Sequence, residues 1–180
     1  MGVLPIGGAA TLPQQQTFDR RMATSAVFAP TSGTLTLTAI NLSGGQVING
    51  ITFVSGSTAE SGGTHLWYAL YRADLVLMGQ STDDTGATSF GANTAFRKAL
   101  TAAQTCPYTG LYYLGFMCAM SAGGVPTLLN VTASVANGNG SITGMTPILA
   151  ATSSTGQAGS APNPAGALTA ITQCLYAFVD

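Results

Sequence analysis

Short runs in which apolar residues alternate with hydroxyl-bearing ones recur along the chain, and glycine-rich and serine-rich turns separate them. In residues 34–42, Leu35, Leu37 and Ala39 alternate with threonines, so a strand there would have one apolar face and one hydroxyl face. Patterns of this kind predict strands at residues 34–42, 47–54, 65–71, 75–80, 96–101, 111–119, 127–135 and 170–179. Helical patterns are nearly absent, and the one candidate, residues 93–103, is equally compatible with a strand.

The spacing of these runs predicts an all-β fold, a single β-sandwich of jelly-roll type with about 7–8 strands. Residues 1–30 show no periodicity, which predicts an extended N-terminal arm, and residues 31–180 are assigned to the sandwich domain. Within that domain, residues 137–166 are mostly small and polar, and we interpret them as a long loop or arm, rich in glycine, serine and alanine, before the last strand. A chain of 180 residues is long enough to bury a core of this kind.

Charged residues make up only 6% of the chain, with five basic and six acidic side chains and a net charge of −1. An average soluble domain has charge on about a quarter of its residues. No residue between Lys98 and Asp180 is charged. Two ordinary explanations are a membrane protein and a protein whose surface is covered by neighbours in an assembly. The apolar runs fall short of the roughly 20 residues of a spanning helix, and the first residues lack a signal-peptide pattern, so we expect no membrane association.

The composition also argues against several kinds of partner and cofactor. Five scattered basic residues do not form the patch that phosphate contacts require, so we expect no nucleic acid. Cys106, Cys118 and Cys174 are widely spaced and odd in number, which fits neither a disulfide framework nor a zinc site. We expect buried thiols, with one disulfide plus a free thiol as the alternative. The glycine-rich run NGNGSITG lacks the lysine of a phosphate-binding loop, and we expect no cofactor.

Catalytic patterns are equally weak, and we expect a protein that is not an enzyme. His65 is the one histidine, and no GxSxG nucleophile motif accompanies it. Asp83 and Asp84 are adjacent, and adjacent residues of an extended segment point to opposite sides, so they make a poor acid–base pair. The segment STDDTG that contains them could hold a hard cation, although a solvated turn is the favoured interpretation.

Aromatic residues are the most promising surface candidates. The set comprises Trp67, Tyr68, Tyr71, Tyr108, Tyr112 and Tyr113. In a strand over residues 65–71, Trp67 and Tyr71 share one face and Tyr68 lies on the other. We interpret Trp67 and Tyr71 as core or subunit contacts, or as a platform for stacking a glycan.

Several segments follow one another in a recognisable order, namely GTLTLTAI, VINGITFVSGSTA, HLWYALYR, STDDTG, TGLYYLGFM and VPTLL, and more loosely PAGALTAITQCLYAFV. In this order of motifs the chain resembles a group of small β-sandwich structural proteins of tailed phages of actinobacteria. These motifs are structural, and they carry over no functional residue. The resemblance implies a virion component of minor tail or capsid decoration type.

The leading hypothesis is therefore a non-enzymatic structural subunit of a phage virion, assembled in the host cytoplasm. Its partners would be other copies of the chain, in a closed and often threefold arrangement, and neighbouring capsid or tail proteins. The alternative is a carbohydrate-binding module that attaches the particle to a host surface glycan. An enzyme such as a depolymerase is the third and weakest hypothesis.

Overall fold

The computed structural model describes residues 15–86, 90–132 and 147–180 of the chain. These residues form antiparallel strands joined by turns, with a 3₁₀ turn at Arg20–Met22. In chain order the strands are β1 (Gln15–Gln16), β2 (Thr24–Phe28), β3 (Leu35–Leu42), β4 (Val47–Val54), β5 (Gly63–Arg72), β6 (Leu77–Gln80), β7 (Ala95–Thr105), β8 (Gly110–Met120), β9 (Leu128–Thr132), β10 (Ala150–Ser153), β11 (Thr169–Ala170), β12 (Gln173–Leu175) and β13 (Ala177–Val179). The all-β fold class that the sequence predicts is confirmed. Among the described residues, no helix has the length and apolar character needed to cross a lipid bilayer.

Three antiparallel sheets make up the described fold. One has six strands in the order β11-β10-β3-β8-β5-β6, the second has four in the order β1-β13-β4-β7, and the third has three in the order β12-β9-β2. A bridge between Ser55 and Leu128 joins the second and third sheets, and a bridge between Ser81 and Leu100 joins the first and second. This arrangement is consistent with a β-sandwich, and its jelly-roll subtype stays a prediction.

The main core lies between the six-stranded sheet and the two smaller sheets. On β5, alternation points Leu66, Tyr68 and Leu70 into it, and each is at most 1% exposed. The ring of Phe53, from β4, packs edge-on against Tyr68 and Phe116 at centroid distances of 4.9 and 5.3 Å. Because burial of one such side chain contributes roughly 1.5–3 kcal/mol, this aromatic cluster holds the two layers together.

The opposite face of the six-stranded sheet, which we call the outer face, is buried as well. It presents a second apolar cluster, in which Leu35, Leu37, Trp67, Tyr71 and Met117 are each 0% exposed. The central strands β5 and β8 are therefore apolar on both faces, which explains why their sequences read as nearly continuous apolar runs. Residues 154–168 supply the cover on this face.

The N-terminal part of the chain differs from the extended arm that the sequence predicts over residues 1–30. In the described part of that segment, β1 pairs with β13 and β2 pairs with β9. The Thr17 hydroxyl also donates to the Leu175 carbonyl at 2.9 Å. The segment is extended, but main-chain pairing joins it to the two smaller sheets.

The segment interpreted as a loop, residues 137–166, contains a strand that the sequence analysis missed. β10 pairs with β3 along its whole length, although its small residues give no alternation signal. The predicted last strand, residues 170–179, is wrong as a single element. It is divided into β11, β12 and β13, and each of these belongs to a different sheet. The part of the predicted loop at residues 137–146 lies outside the described residues.

Candidate functional site

Trp67 and Tyr71 lie on the outer face, on the same side of β5, as their spacing predicts. Because β5 pairs with β8 on one side and with the edge strand β6 on the other, their side chains stand over interior strands of the six-stranded sheet. Tyr113 and Met117 of β8 flank them. These residues form a continuous aromatic and aliphatic surface.

Residues 154–168, which we call the strap, run across this surface and are hydrogen-bonded to it. The Trp67 indole Nε1–H donates to the Ala158 carbonyl at 2.5 Å, and the Tyr71 hydroxyl donates to the Pro162 carbonyl at 3.1 Å. The Gln80 side chain contacts the strap twice, because its Oε1 accepts from the Ala161 N–H at 2.7 Å and its Nε2 donates to the Gly159 carbonyl at 3.5 Å. The strap is therefore held at its backbone by three polar side chains of β5 and β6.

The strap changes the interpretation of Trp67 and Tyr71 as glycan or subunit contacts. Both are 0% exposed, so in this structure neither ring can stack on a sugar or touch another subunit. The face was identified correctly from the sequence, but the chain covers it with its own residues. Burial also raises the pKa of the Tyr71 hydroxyl. We therefore assign the two residues to an internal core.

The remaining aromatic candidates do not form a shared platform. Tyr68 is buried between the layers, and Tyr113 is buried on the outer face. Tyr112 is buried too, and Tyr108 stacks on it at a centroid distance of 5.0 Å. Tyr108 is 38% exposed. A planar row of exposed rings, which sugar stacking would need, is thus not found among these six residues.

His65 and Asp83 form a hydrogen-bonded pair beside the strap. The His65 Nδ1 and the Asp83 Oδ2 are 2.6 Å apart, and the other carboxylate oxygen of Asp83 accepts from the Leu66 N–H at 3.1 Å. Their side chains are 29% and 12% exposed, respectively. The prediction of a solvated turn at STDDTG is therefore wrong for Asp83, which is fixed against the edge of β5.

Asp84 points to the other side of the same segment, toward the main core. Its Oδ2 lies 2.5 Å from the Nζ of Lys98, whose side chain is only 6% exposed. Glu60 is close enough to both charges to be affected by them, and it is also only 6% exposed. Burial is the main cause that raises the pKa of Glu60, and in the described part of the chain its Oε2 has no hydrogen-bond partner. Asp83 and Asp84 thus point to opposite sides, as predicted.

The chemistry open to this cluster is limited. A histidine–carboxylate pair needs a nucleophile at its free ring nitrogen to act in acyl transfer, and in the described residues the hydrogen bonds of His65 include no serine, threonine or cysteine. The carboxylates of Asp83 and Asp84 contact different partners, His65 and Lys98. Within the ranges that the structure covers, there is no group of three or more metal-ligating side chains. Sequence reasoning missed these pairs, although continuing the β5–β6 register beyond Gln80 would have placed Asp83 opposite Leu66.

The described residues form one cleft between β3 and the three-stranded sheet, and another on the smaller sheets. One, of about 350 Å³, is mostly apolar and contains the free thiol of Cys174. The other, of about 330 Å³, is lined by Val54, Ala95, Leu129, Tyr176, Phe178, Arg20 and Asn93. The second cleft combines aromatic rings with a cation and an amide. No pattern in the sequence marked these residues, because they come from five separate segments.

The three cysteines are free thiols. Cys106 and Cys118 are buried, as the sequence analysis expects, and Cys174 is half-buried. Burial raises the pKa of Cys118 to about 12, so its thiol stays protonated and acts as a small apolar group.

Comparisons with known proteins give no relative for this chain. No protein-family model, no curated protein and no solved structure matches it.

Proposed function

We propose that the chain is a non-enzymatic structural subunit of a tailed-phage virion, of minor tail or capsid decoration type. It works by forming homo-oligomers and by docking on neighbouring capsid or tail subunits. The segment resemblance described above supplies the virion context. The jelly-roll connectivity of the sandwich belongs to the same proposal.

The observation that carries the proposal is the way in which the chain neutralises its own few charges. Every charged side chain lies in the described ranges, and all but Arg20, Glu60 and Asp83 pair with a side chain of opposite charge. Asp83 is hydrogen-bonded to His65. Glu60 is buried. Apart from Arg20 and three exposed Arg–Asp pairs, the described surface consists mainly of hydroxyl, amide and apolar groups. Such a surface suits permanent contact with neighbours better than long-range attraction of a charged ligand.

Strand β7 is an example of this neutral surface. It is the edge strand of the four-stranded sheet, and from Thr101 to Ala103 each residue is exposed. Exposed edge strands of monomeric proteins are usually protected by charge. This part of β7 has no charge. Its register against β4 shifts between Ala99 and Gln104, and the Thr101 hydroxyl donates to the Gln80 carbonyl at 3.0 Å. The neutral surface left at Ala102 and Ala103 fits a contact with a second copy of the chain.

The proposal is tested on purified phage particles whose genome encodes this chain. Mass spectrometry of the particles should detect the chain, and antibody-gold labelling should place it on the head, for a decoration protein, or on the tail. If repeated particle preparations lack the chain while the infected cells contain it, the proposal is wrong.

The oligomeric state gives a second test with a matched control. The isolated protein should sediment as a closed oligomer, and a trimer is the expected form. Ala102→Asp on β7 should shift it toward monomer, whereas Ala167→Asp, an exposed alanine on the strap, should leave the oligomer intact. A parent protein that stays monomeric at all concentrations contradicts assembly by self-association.

A carbohydrate-binding role is the second candidate, and one observation favours it. The cleft of about 330 Å³ offers Phe178 and Tyr176 for ring contacts and Arg20 for an acidic or hydroxyl group of a sugar. Phe178→Ala should abolish binding to a host-surface glycan, and Tyr108→Ala, which removes an exposed ring elsewhere, should not. Equal binding by both variants would remove this candidate.

A further inference from the structure

We propose that the outer face is a peptide-binding groove. Its ligand is an uncharged segment of mostly small residues without regular secondary structure, namely the strap in the intact chain and the same sequence when it is supplied as a separate peptide. The groove consists of the outer surfaces of β3, β5, β6 and β8.

The groove recognises the backbone of its ligand. Trp67, Tyr71 and Gln80 hydrogen-bond to main-chain atoms of the strap, and these contacts do not depend on the strap's side chains. Further along, the Leu77 N–H donates to the Asn163 side-chain oxygen at 3.1 Å, and the Ala165 N–H donates to the Leu75 carbonyl at 3.0 Å. Hydrogen bonds to the main chain of a peptide contribute affinity in known modes of peptide recognition.

The shape of the groove selects small and neutral residues. Ala161, Ala165 and Leu168 of the strap pack on the apolar cluster. At Gly159 a methyl group would lie 3.0 Å from the Asp83 carboxylate, so the His65–Asp83 pair closes the groove against a larger residue there. A charged side chain directed into the cluster would lose its hydration without gaining a partner.

The two ends of the strap meet at one point. β10 precedes it and β11 follows it, and these strands pair with each other at Thr152 and Thr169. The strap therefore leaves the sheet and returns to the same place. It can be removed without breaking the connection between the strands that form the groove.

The chain provides its own reporter, because Trp67 is the single tryptophan and lies under the strap. In the first experiment, residues 155–167 are replaced by a short Gly-Ser turn. The Trp67 emission of this variant should move to longer wavelength. Adding a synthetic peptide of residues 154–168 should return the emission to that of the parent in a saturable manner. The same peptide with Ala161→Asp and Ala165→Asp, which directs charges into the apolar cluster, should not.

A matched pair of variants tests the role of the backbone contacts. Gln80→Ala in the shortened protein removes two hydrogen bonds to the peptide and should weaken its binding about tenfold. Gln46→Ala, which removes a glutamine in the β3–β4 turn, should leave the affinity unchanged. A shortened protein that is folded by circular dichroism but does not bind the peptide overturns the proposal.

A second variant covers the case in which the shortened protein does not fold. Protease sites are inserted at residues 155 and 167 of the full chain, and the folded protein is then cleaved. The excised peptide should co-elute with the remainder in gel filtration, and the Trp67 emission should not change. Separation of the peptide, with a shift of the emission to longer wavelength, refutes the groove. Both experiments use the isolated chain, so their result is independent of where the protein lies on a virion.

Discussion

The buried ion pair between Lys98 and Asp84 should show strong energetic coupling. It connects β7 of the four-stranded sheet with the segment that follows β6 of the six-stranded sheet, so it spans the two layers. Its Nζ–Oδ2 distance is 2.5 Å, and the Lys98 and Asp84 side chains are 6% and 24% exposed. We consider the substitutions Lys98→Met and Asp84→Leu, alone and together.

The expected magnitudes follow from which charge is left alone. Loss of one partner of a buried pair typically costs about 3–5 kcal/mol. Asp84→Leu leaves the more deeply buried charge, on Lys98, and should cost about 4 kcal/mol. Lys98→Met leaves Asp84, which water reaches in part, and should cost about 3 kcal/mol. The double variant removes both desolvated charges and should lie within about 1 kcal/mol of the parent, because apolar replacements of buried pairs are often neutral.

The assay is urea unfolding of the four proteins, followed by the fluorescence of Trp67. The double-mutant cycle should give a coupling energy of several kcal/mol between the two positions. If the effects of the single substitutions add up in the double variant, the pair does not interact in the way that the structure indicates. Unfolding slopes that agree among the four proteins would show that the comparison refers to the same transition.

Three further predictions concern the same region and the strap. Burial raises the pKa of the Glu60 carboxyl group above its ordinary value of 4.5, so the folded state binds the carboxyl proton more tightly than the unfolded state. The free energy of unfolding should therefore fall as the pH rises from 4.5 through the raised pKa. Glu60→Gln should remove that part of the pH dependence, measured by urea unfolding at several pH values, and an unchanged profile would contradict the assignment. A methyl group on Gly63 would lie 1.7 Å from the Glu60 Oε1. Gly63→Ala should therefore destabilise the protein by about 1–3 kcal/mol. Adding Glu60→Ala to the Gly63→Ala variant should restore part of the lost stability, as measured by urea unfolding. Tyr71→Phe removes the hydrogen bond to the Pro162 carbonyl and should lower the free energy of unfolding by about 1 kcal/mol. An unchanged free energy of unfolding would contradict a hydrogen bond between the Tyr71 hydroxyl and the strap.

The strands with strong alternation were predictable from the sequence, and those held only by tertiary pairing were not. β4 has the predicted bounds, 47–54, because its apolar positions and its flanking turns both mark it. β10 consists of small residues, and only its pairing with β3 makes it a strand. The last strand changes from one sheet to another at Tyr176, whose N–H bonds to the Leu129 carbonyl, and a change of pairing partner leaves no trace in an apolar pattern.

The site was predictable to the level of a strand face and no further. Because side chains alternate along a strand, Trp67 and Tyr71 lie on the same side of β5, whichever residues cover that side. Whether that side meets solvent, a neighbour or the chain itself depends on the strap, which has neither an apolar pattern nor a charged residue to indicate its path. The pairing of His65 with Asp83 similarly depends on how far the β5–β6 hairpin extends. The length of an apolar run in the sequence does not predict where the hairpin ends.

The stretch without charge between Lys98 and Asp180 has two separate physical causes. In β8 and in the parts of the strap that face the groove, the absence of charge follows from folding, because these residues are covered on both sides or lie on an apolar surface. The exposed end of β7 is different, because Ala102 and Ala103 are open to solvent and the fold of a single chain does not forbid a charge there. Charge at an exposed edge is the usual protection against association. The neutral end of β7 is therefore a feature that the folding of a single chain does not explain. Under the proposed assembly, Ala102→Asp should act on the oligomer while the stability of the single chain stays the same.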